Sequence, residues 1–137
     1  MIQKIEFSDQ DEYYNLGLEL NKNFKQLFNL NELLSKDYNK IYTYKINNKL
    51  IGFIHLQVSF EEADIVNIIV DNNYRHQHIA SNLIQYAKNI NNLKVLNLEV
   101  RTKNDAVKFY KNLGFSIIRT IKKYYIDDDA YFMKKEY

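Results

Sequence analysis

Asp64-Ile65-Val66-Asn67-Ile68-Ile69-Val70-Asp71-Asn72-Asn73-Tyr74-Arg75-His76-Gln77-His78-Ile79-Ala80-Ser81 changes its apolar period halfway along. Ile65, Val66, Ile68, Ile69 and Val70 are β-branched and almost continuous, the pattern of a strand buried on both faces. Asp71, Asn72 and Asn73 break that run as a turn. From Ile79, the apolar residues Leu83, Tyr86, Ala87 and Ile90 follow at helical spacing. The chain reads strand, short loop, helix, and the first helical turn is expected to carry Arg75, His76, Gln77 and His78. Free backbone N–H groups at a helix N-terminus, beside a cation, make an anion site. The same residues also fit an ordinary βα turn.

A length of 137 residues sets the expectation of one domain, 1–137, around one core. Hydrophobic residues at 46% and charged residues at 26% fit a globular protein. A net charge of +2 is too small to mark a nucleic-acid binder. The absence of cysteine excludes a disulfide, a thiolate metal site and a cysteine nucleophile; no metal is expected. Met1–Asp9 lacks the apolar run of a signal peptide. No segment approaches the ~18 apolar residues that span a bilayer. These features set the expectation of a cytoplasmic protein with no membrane or nucleic-acid partner.

Ile2 to Phe7 alternates as a first strand, and Ser8 or Asp9 is placed to cap a helix. Tyr13, Leu16, Leu20, Phe24, Leu27 and Phe28 give that helix one apolar stripe, with Gly17 marking a bend or a close contact. Leu30, Leu33 and Leu34 suggest a short second helix. Ile41–Ile46 and Leu50–Val58 form a hairpin around Asn47-Asn48-Lys49, with a bulge expected near Gly52. Val95–Arg101 is a further strand, carrying Val95, Asn97, Glu99 and Arg101 on one face. Asn104 or Asp105 caps a helix through Leu113, closed by Gly114. Phe115–Ile121 and Ala130–Met133 are the last strands. Lys122 to Tyr125 and Asp127-Asp128-Asp129 are read as their connection.

The order is β-α-α-β-β-β-α-β-α-β-β. A crossover helix between residues 64 and 101 demands one parallel pair, and the hairpins make the rest antiparallel. The fold class is therefore α/β with a mixed sheet. Ile65–Val70 and Val95–Val100 are expected to run parallel and to part at their C-terminal ends, with the main cleft between them.

This order, with its motifs, resembles the GNAT superfamily of acetyl-CoA-dependent N-acetyltransferases over essentially the whole chain. Three pieces carry the resemblance. Arg75-His76-Gln77-His78-Ile79-Ala80 matches the phosphate loop, with histidine at two positions where the superfamily favours glycine. Leu98-Glu99-Val100-Arg101, Asn104 and Phe109-Tyr110-Lys111-Asn112-Leu113-Gly114-Phe115 form the second. Tyr124-Tyr125, Asp129-Ala130 and Met133 form the third. The last two look most like the branch that acetylates the N-terminal amine of a ribosomal protein. That branch has a glutamate directly after its tyrosine, where this chain has Lys111; Asn104 also stands one residue closer to Tyr110 than is usual.

The resemblance implies acetyl-CoA as co-substrate. Its diphosphate is expected on the N–H groups of His76, Gln77, His78, Ile79, Ala80 and Ser81, with Arg75 nearby. Its pantetheine arm is expected along Ile68, Ile69 and Val70, and Asn104 is also expected at the cofactor. A backbone N–H near Ile69 or Val70 is the expected oxyanion donor. Tyr110 and Tyr124 compete for the general acid. Asp64 and Glu62 are the candidate bases, with a solvated strand edge as the equal alternative; Glu99 is read as pairing with Arg101 or Lys103. The activity implied is direct transfer of an acetyl group to a primary amine, on a protein N-terminus or a small molecule, by a monomer or homodimer. The alternative is a catalytically impaired member that serves as a binding module.

Overall fold

The computed structural model describes residues 1–137. The β-branched run becomes β4 (Glu62–Val70) and the helical spacing becomes α4 (Ile79–Ile90). Around them lie β1 (Ile2–Lys4), α1 (Gln10–Gly17), α2 (Phe24–Leu27), α3 (Leu30–Leu34), β2 (Asn39–Ile46) and β3 (Lys49–Ser59). After α4 come β5 (Val95–Arg101), α5 (Ala106–Asn112), β6 (Ser116–Tyr125) and β7 (Asp128–Glu136). The strands make one seven-stranded sheet in the order β1-β2-β3-β4-β5-β7-β6. Only β4 and β5 are parallel.

That parallel pair is short. Glu62 faces Val95, Ala63 faces Leu96 and Asp64 faces Asn97, and there the pairing stops. From Ile65 to Val70, β4 stays paired with β3 but has no partner on its other edge. A bulge shifts the β3–β4 register between His55 and Leu56, which re-aims the side chains beyond it. The strands part where the sequence pattern placed the opening.

Two apolar clusters sandwich the sheet. On one face, Ile54 and Leu56 pack with Leu83 and Ala87 of α4, and with Leu96 and Met133. On the other, Tyr13, Phe24 and Leu30 from α1–α3 pack on Ile41, Phe53 and Ile69. The second cluster draws no residue from β5, β6 or β7, so that half of the face carries no helical cover. No helix is long and apolar enough to cross a membrane.

Several boundaries differ from the sequence reading. The first helix does not run on to Phe28. It ends at Gly17, where an added Cβ would lie 2.2 Å from the Phe24 ring; the chain turns through Asn21–Asn23 so that Phe24 can fold back onto that glycine. Asp9 stands at the N-cap of α1, but its side chain makes no hydrogen bond to that helix. It accepts instead from the Glu6 N–H at 2.9 Å, closing a capping box on the short turn of helix Phe7–Asp9, and pairs with Lys45 at 2.7 Å. Lys122–Tyr125 are not connection but strand, and the β6–β7 turn is only Ile126-Asp127. The aspartates bind across to the end of β5: Asp127 pairs with Arg101, and Asp128 accepts from Thr102 Oγ1 at 2.8 Å. The β2–β3 turn holds Asn47 and Asn48 at φ 52° and 64°, the left-handed pair of a tight hairpin.

Candidate functional site

The gap between β4 and β5 opens into a cleft of about 740 Å³. Ile68, Ile69 and Val70 form one wall. Arg75, His76, His78, Ile79, Ala80 and Ser81 close one end. Asn104 and Tyr110 line it from the α5 side. All the residues expected at the cofactor thus meet in one cleft except Gln77, which does not line it.

The phosphate-loop residues precede the helix rather than forming its first turn. His78 is the N-cap of α4, and His76 and His78 have φ of 64° and 62°. This left-handed conformation costs a β-carbon-bearing residue about 1–2 kcal/mol, so the loop keeps a glycine-type backbone at both histidines. α4 leaves its first N–H groups free of intrahelical partners and presents its positive end here. Arg75 Nε donates to the Val70 carbonyl at 3.1 Å, tying the loop to the strand end. Asn104 Oδ1 accepts from the Ala106 N–H at 2.8 Å and so shapes the start of α5.

Tyr110 is 9% exposed, and burial pushes its pKa up to about 12. Its hydroxyl stays protonated throughout the neutral range. Tyr124 is 50% exposed on β6, stacks edge-on against Tyr125, and does not line the cleft. Glu62 and Asp64 also lie outside it. Both accept from Asn97 Nδ2, at 2.6 and 3.2 Å, and they line a second cleft at the other end of β4.

Two features escaped the sequence reading. Glu19 and Leu20 reach the main cleft from the α1–α2 connection; no spacing in the sequence signals a loop that crosses so far. Glu99 does not pair with Arg101 or Lys103, because Arg101 is taken by Asp127 and stacks on Tyr125. Glu99 reaches solvent on the uncovered face. Desolvation, and then the Asp64 charge, push its pKa upward against the pull of Arg119. The alternation of β5 was the signal that placed it there.

An amine-directed acyl transfer needs a cleft for the acyl carrier, a protonated hydroxyl and a proton acceptor; the first two meet here, while Glu99 does not line the cleft, whose one carboxylate is Glu19. No group of three His, Asp or Glu side chains is arranged to hold a metal ion. The chain is 26% identical over 152 residues to an N-alpha-acetyltransferase of Sulfurisphaera tokodaii, covering 96% of this chain and 90% of that protein. The crystal structure of the ribosomal-protein-S18-alanine N-acetyltransferase from Escherichia coli superposes with a TM-score of 0.84 at 26% identity, covering 99% of this chain and 92% of that one. An acetyltransferase from Bacillus anthracis, in complex with acetyl coenzyme A, has a TM-score of 0.70 at 31% identity, covering 78% of this chain and 67% of that one. A model of the acetyltransferase (GNAT) domain matches residues 37–117. The chain belongs to the GNAT acetyltransferase family and is an N-acetyltransferase.

Proposed function

We propose that residues 1–137 act as one catalytic unit that moves an acetyl group from acetyl-CoA directly to the α-amine at a polypeptide N-terminus. The observation that carries this is the parting of β4 and β5 after Asp64. It opens the sheet between an anion-binding helix end on one side and an uncovered, carboxylate-bearing face on the other.

The residues present fit acetyl-CoA. Arg75 and the free N–H groups at the start of α4 suit a diphosphate. Ile68–Val70 offer an apolar wall whose outer backbone edge is unpaired by β5, which suits an extended pantetheine arm. Bound there, acetyl-CoA supplies an activated acetyl group. A backbone N–H near Ile69 or Val70 is the donor to the acetyl oxygen as charge builds on it. Tyr110 Oη holds a proton beside the wall and gives it to the departing sulfur; a thiol of pKa ~8.5 needs only modest help.

Glu99 is the base in this reading, in place of Glu62 and Asp64. Its raised affinity for protons suits removal of one from an ammonium group. An α-amine, of pKa about 7.7–8.0, is partly neutral near pH 7.5, whereas a lysine amine near ~10.4 is not. The weak base and the α-amine match. The relatives named for N-terminal acetylation support the same choice of acceptor.

Thermal unfolding with and without acetyl-CoA tests the cofactor half of the proposal. At 100 times its dissociation constant, acetyl-CoA should stabilise the fold by ~2.7 kcal/mol. No shift at saturating ligand contradicts it. A shift without turnover on any N-terminal peptide supports the impaired binding module instead.

A further inference from the structure

Arg119 stands on the uncovered face because of one extra residue. In the pairing of β6 with β7, Ile117 faces Met133 and Arg119 faces Phe132. Ile118 lies between them, bulged out of the ladder and 52% exposed. Met133 is buried on the α4 side, so Phe132, next to it in β7, points the other way. Strict alternation would set Ile118 opposite Phe132 and turn Arg119 towards α4. The bulge sets Arg119 there instead, which is how bulges at sheet edges re-aim a side chain.

The guanidinium carbon of Arg119 lies 4.5 Å from the centroid of the Phe132 ring, so cation–π attraction seats the planar group. No carboxylate lies within ion-pairing distance of it; the pairs nearby are Arg101 with Asp127 and Lys122 with Asp129. Phe132 also faces Glu99 in the pairing of β5 with β7. Glu99, Phe132 and Arg119 therefore make one row across the uncovered face, about 10 Å long over two strand spacings. α4 packs on the opposite face, so a diphosphate at its N-terminus is not the anion that this cation meets. A seated guanidinium has five donors and no acceptor, and it matches a carboxylate. Lys134 is also unpaired on this face, opposite Asn97 and Ser116, but its flexible ammonium lacks the fixed fork.

An α-amine at Glu99 begins the acceptor chain, and an extended chain covers about 10 Å in about three residues. We propose that Arg119 is a specificity-determining residue that receives an acidic side chain at the third or fourth position of the acceptor polypeptide. This rests on the reading of the acceptor as a polypeptide α-amine. The two charges of such a terminus, ammonium and carboxylate, match the two ends of the row. The contact is the same before and during transfer, so it lowers KM and leaves kcat unchanged.

The test uses the full chain, acetyl-CoA and three synthetic peptides that differ only in carrying Glu, Gln or Lys at both the third and the fourth position. Dissociation constants and acetylation are measured separately for wild type, Arg119→Gln and Lys134→Gln. With wild type, Kd and KM for the Glu peptide should be about tenfold below those for the Gln peptide, at similar kcat. Added salt should weaken the preference. Arg119→Gln should bring it towards one, and Lys134→Gln should keep it. Equal Kd for the three peptides with wild type overturns the assignment, and acetylation of all three then leaves the N-terminal reading standing. Tighter binding of the Glu peptide without acetyl product supports the assignment and contradicts that reading. A preference that persists in Arg119→Gln overturns the assignment, whatever Lys134→Gln does. An altered pH profile in Arg119→Gln, with no preference among peptides in wild type, also overturns it and leaves Arg119 acting on Glu99 alone.

Discussion

The face of the sheet opposite α4 is divided in two. Across β2 and β3 it is roofed by α1–α3, with Tyr13, Phe24, Leu30 and Phe53 fully buried. Across β5, β7 and β6 it carries Glu99, Phe132 and Arg119 with no helix over them. The same sheet thus serves two purposes. The roofed half holds the fold, and polar groups inside it are confined to a few fixed pairs. The open half spends little apolar area on stability and keeps charge accessible. Changes in the first are expected to appear as lost stability, and changes in the second as lost activity.

The largest expected effect is in the open half. Glu99→Gln should lower turnover by about a hundredfold or more, as for removal of a general base, without lowering Tm. Its raised pKa means that ionised Glu99 does not help the folded state. Steady-state kinetics with a parallel melting curve check this; a fall in Tm with unchanged turnover breaks the division. Glu19→Gln is the control, and a greater loss there transfers the role of base to Glu19.

The next effect lies under the roof. His55 is fully buried, donates through Nε2–H to Asn39 Oδ1 at 2.8 Å with Nδ1 unpartnered, and is held neutral with a pKa lowered by burial to about 4. The unfolded chain takes up a proton near pH 6.5 and the folded chain does not until about 4. Stability is therefore full above pH 6.5 and falls as pH drops towards 4, by about 3 kcal/mol across the window. Urea unfolding at the two ends measures the loss, and His55→Gln should flatten it. Gly17→Ala ranks below this. The new Cβ meets the buried Phe24 ring, and overpacking of this kind costs about 1–3 kcal/mol. Activity per folded molecule should hold if the roof is only structural.

These cases also show what the sequence reveals. The parting of β4 from β5 was legible because β-branched residues, an Asn-rich turn and a helical period follow one another within residues 64–90. The strand, the loop and the helix each leave a local pattern. The end of α1 was not legible, because Gly17 is dictated by a ring seven residues away in sequence that returns to it in space. That Glu99 lacks an ion-pair partner was obscured by nearby Arg101, whose real partner, Asp127, is 26 residues distant. Asp9 was misread for the same reason: its partner Lys45 lies on another strand. Periodicity reports local conformation; it does not report which of several plausible charges wins a partner.

The smallest effect is at the boundary between the two regimes. His78 holds a left-handed backbone at the helix end. His78→Gly should gain up to about 1 kcal/mol from relieved strain, less the extra entropy of glycine in the unfolded chain. If the imidazole merely occupies the loop, acetyl-CoA also binds more tightly.

The central claim is that the parted strands hold acetyl-CoA beside Tyr110 for transfer to an N-terminal amine. The most direct measurement is tandem mass spectrometry of a peptide with a free α-amine and an internal lysine, after incubation with acetyl-CoA and either the wild type or Tyr110→Phe. The account predicts acetylation at the α-amine only, with the variant slower by about a hundredfold while its dissociation constant for acetyl-CoA changes little. Acetylation of the lysine in preference to the α-amine, or equal rates for the two proteins, would contradict it.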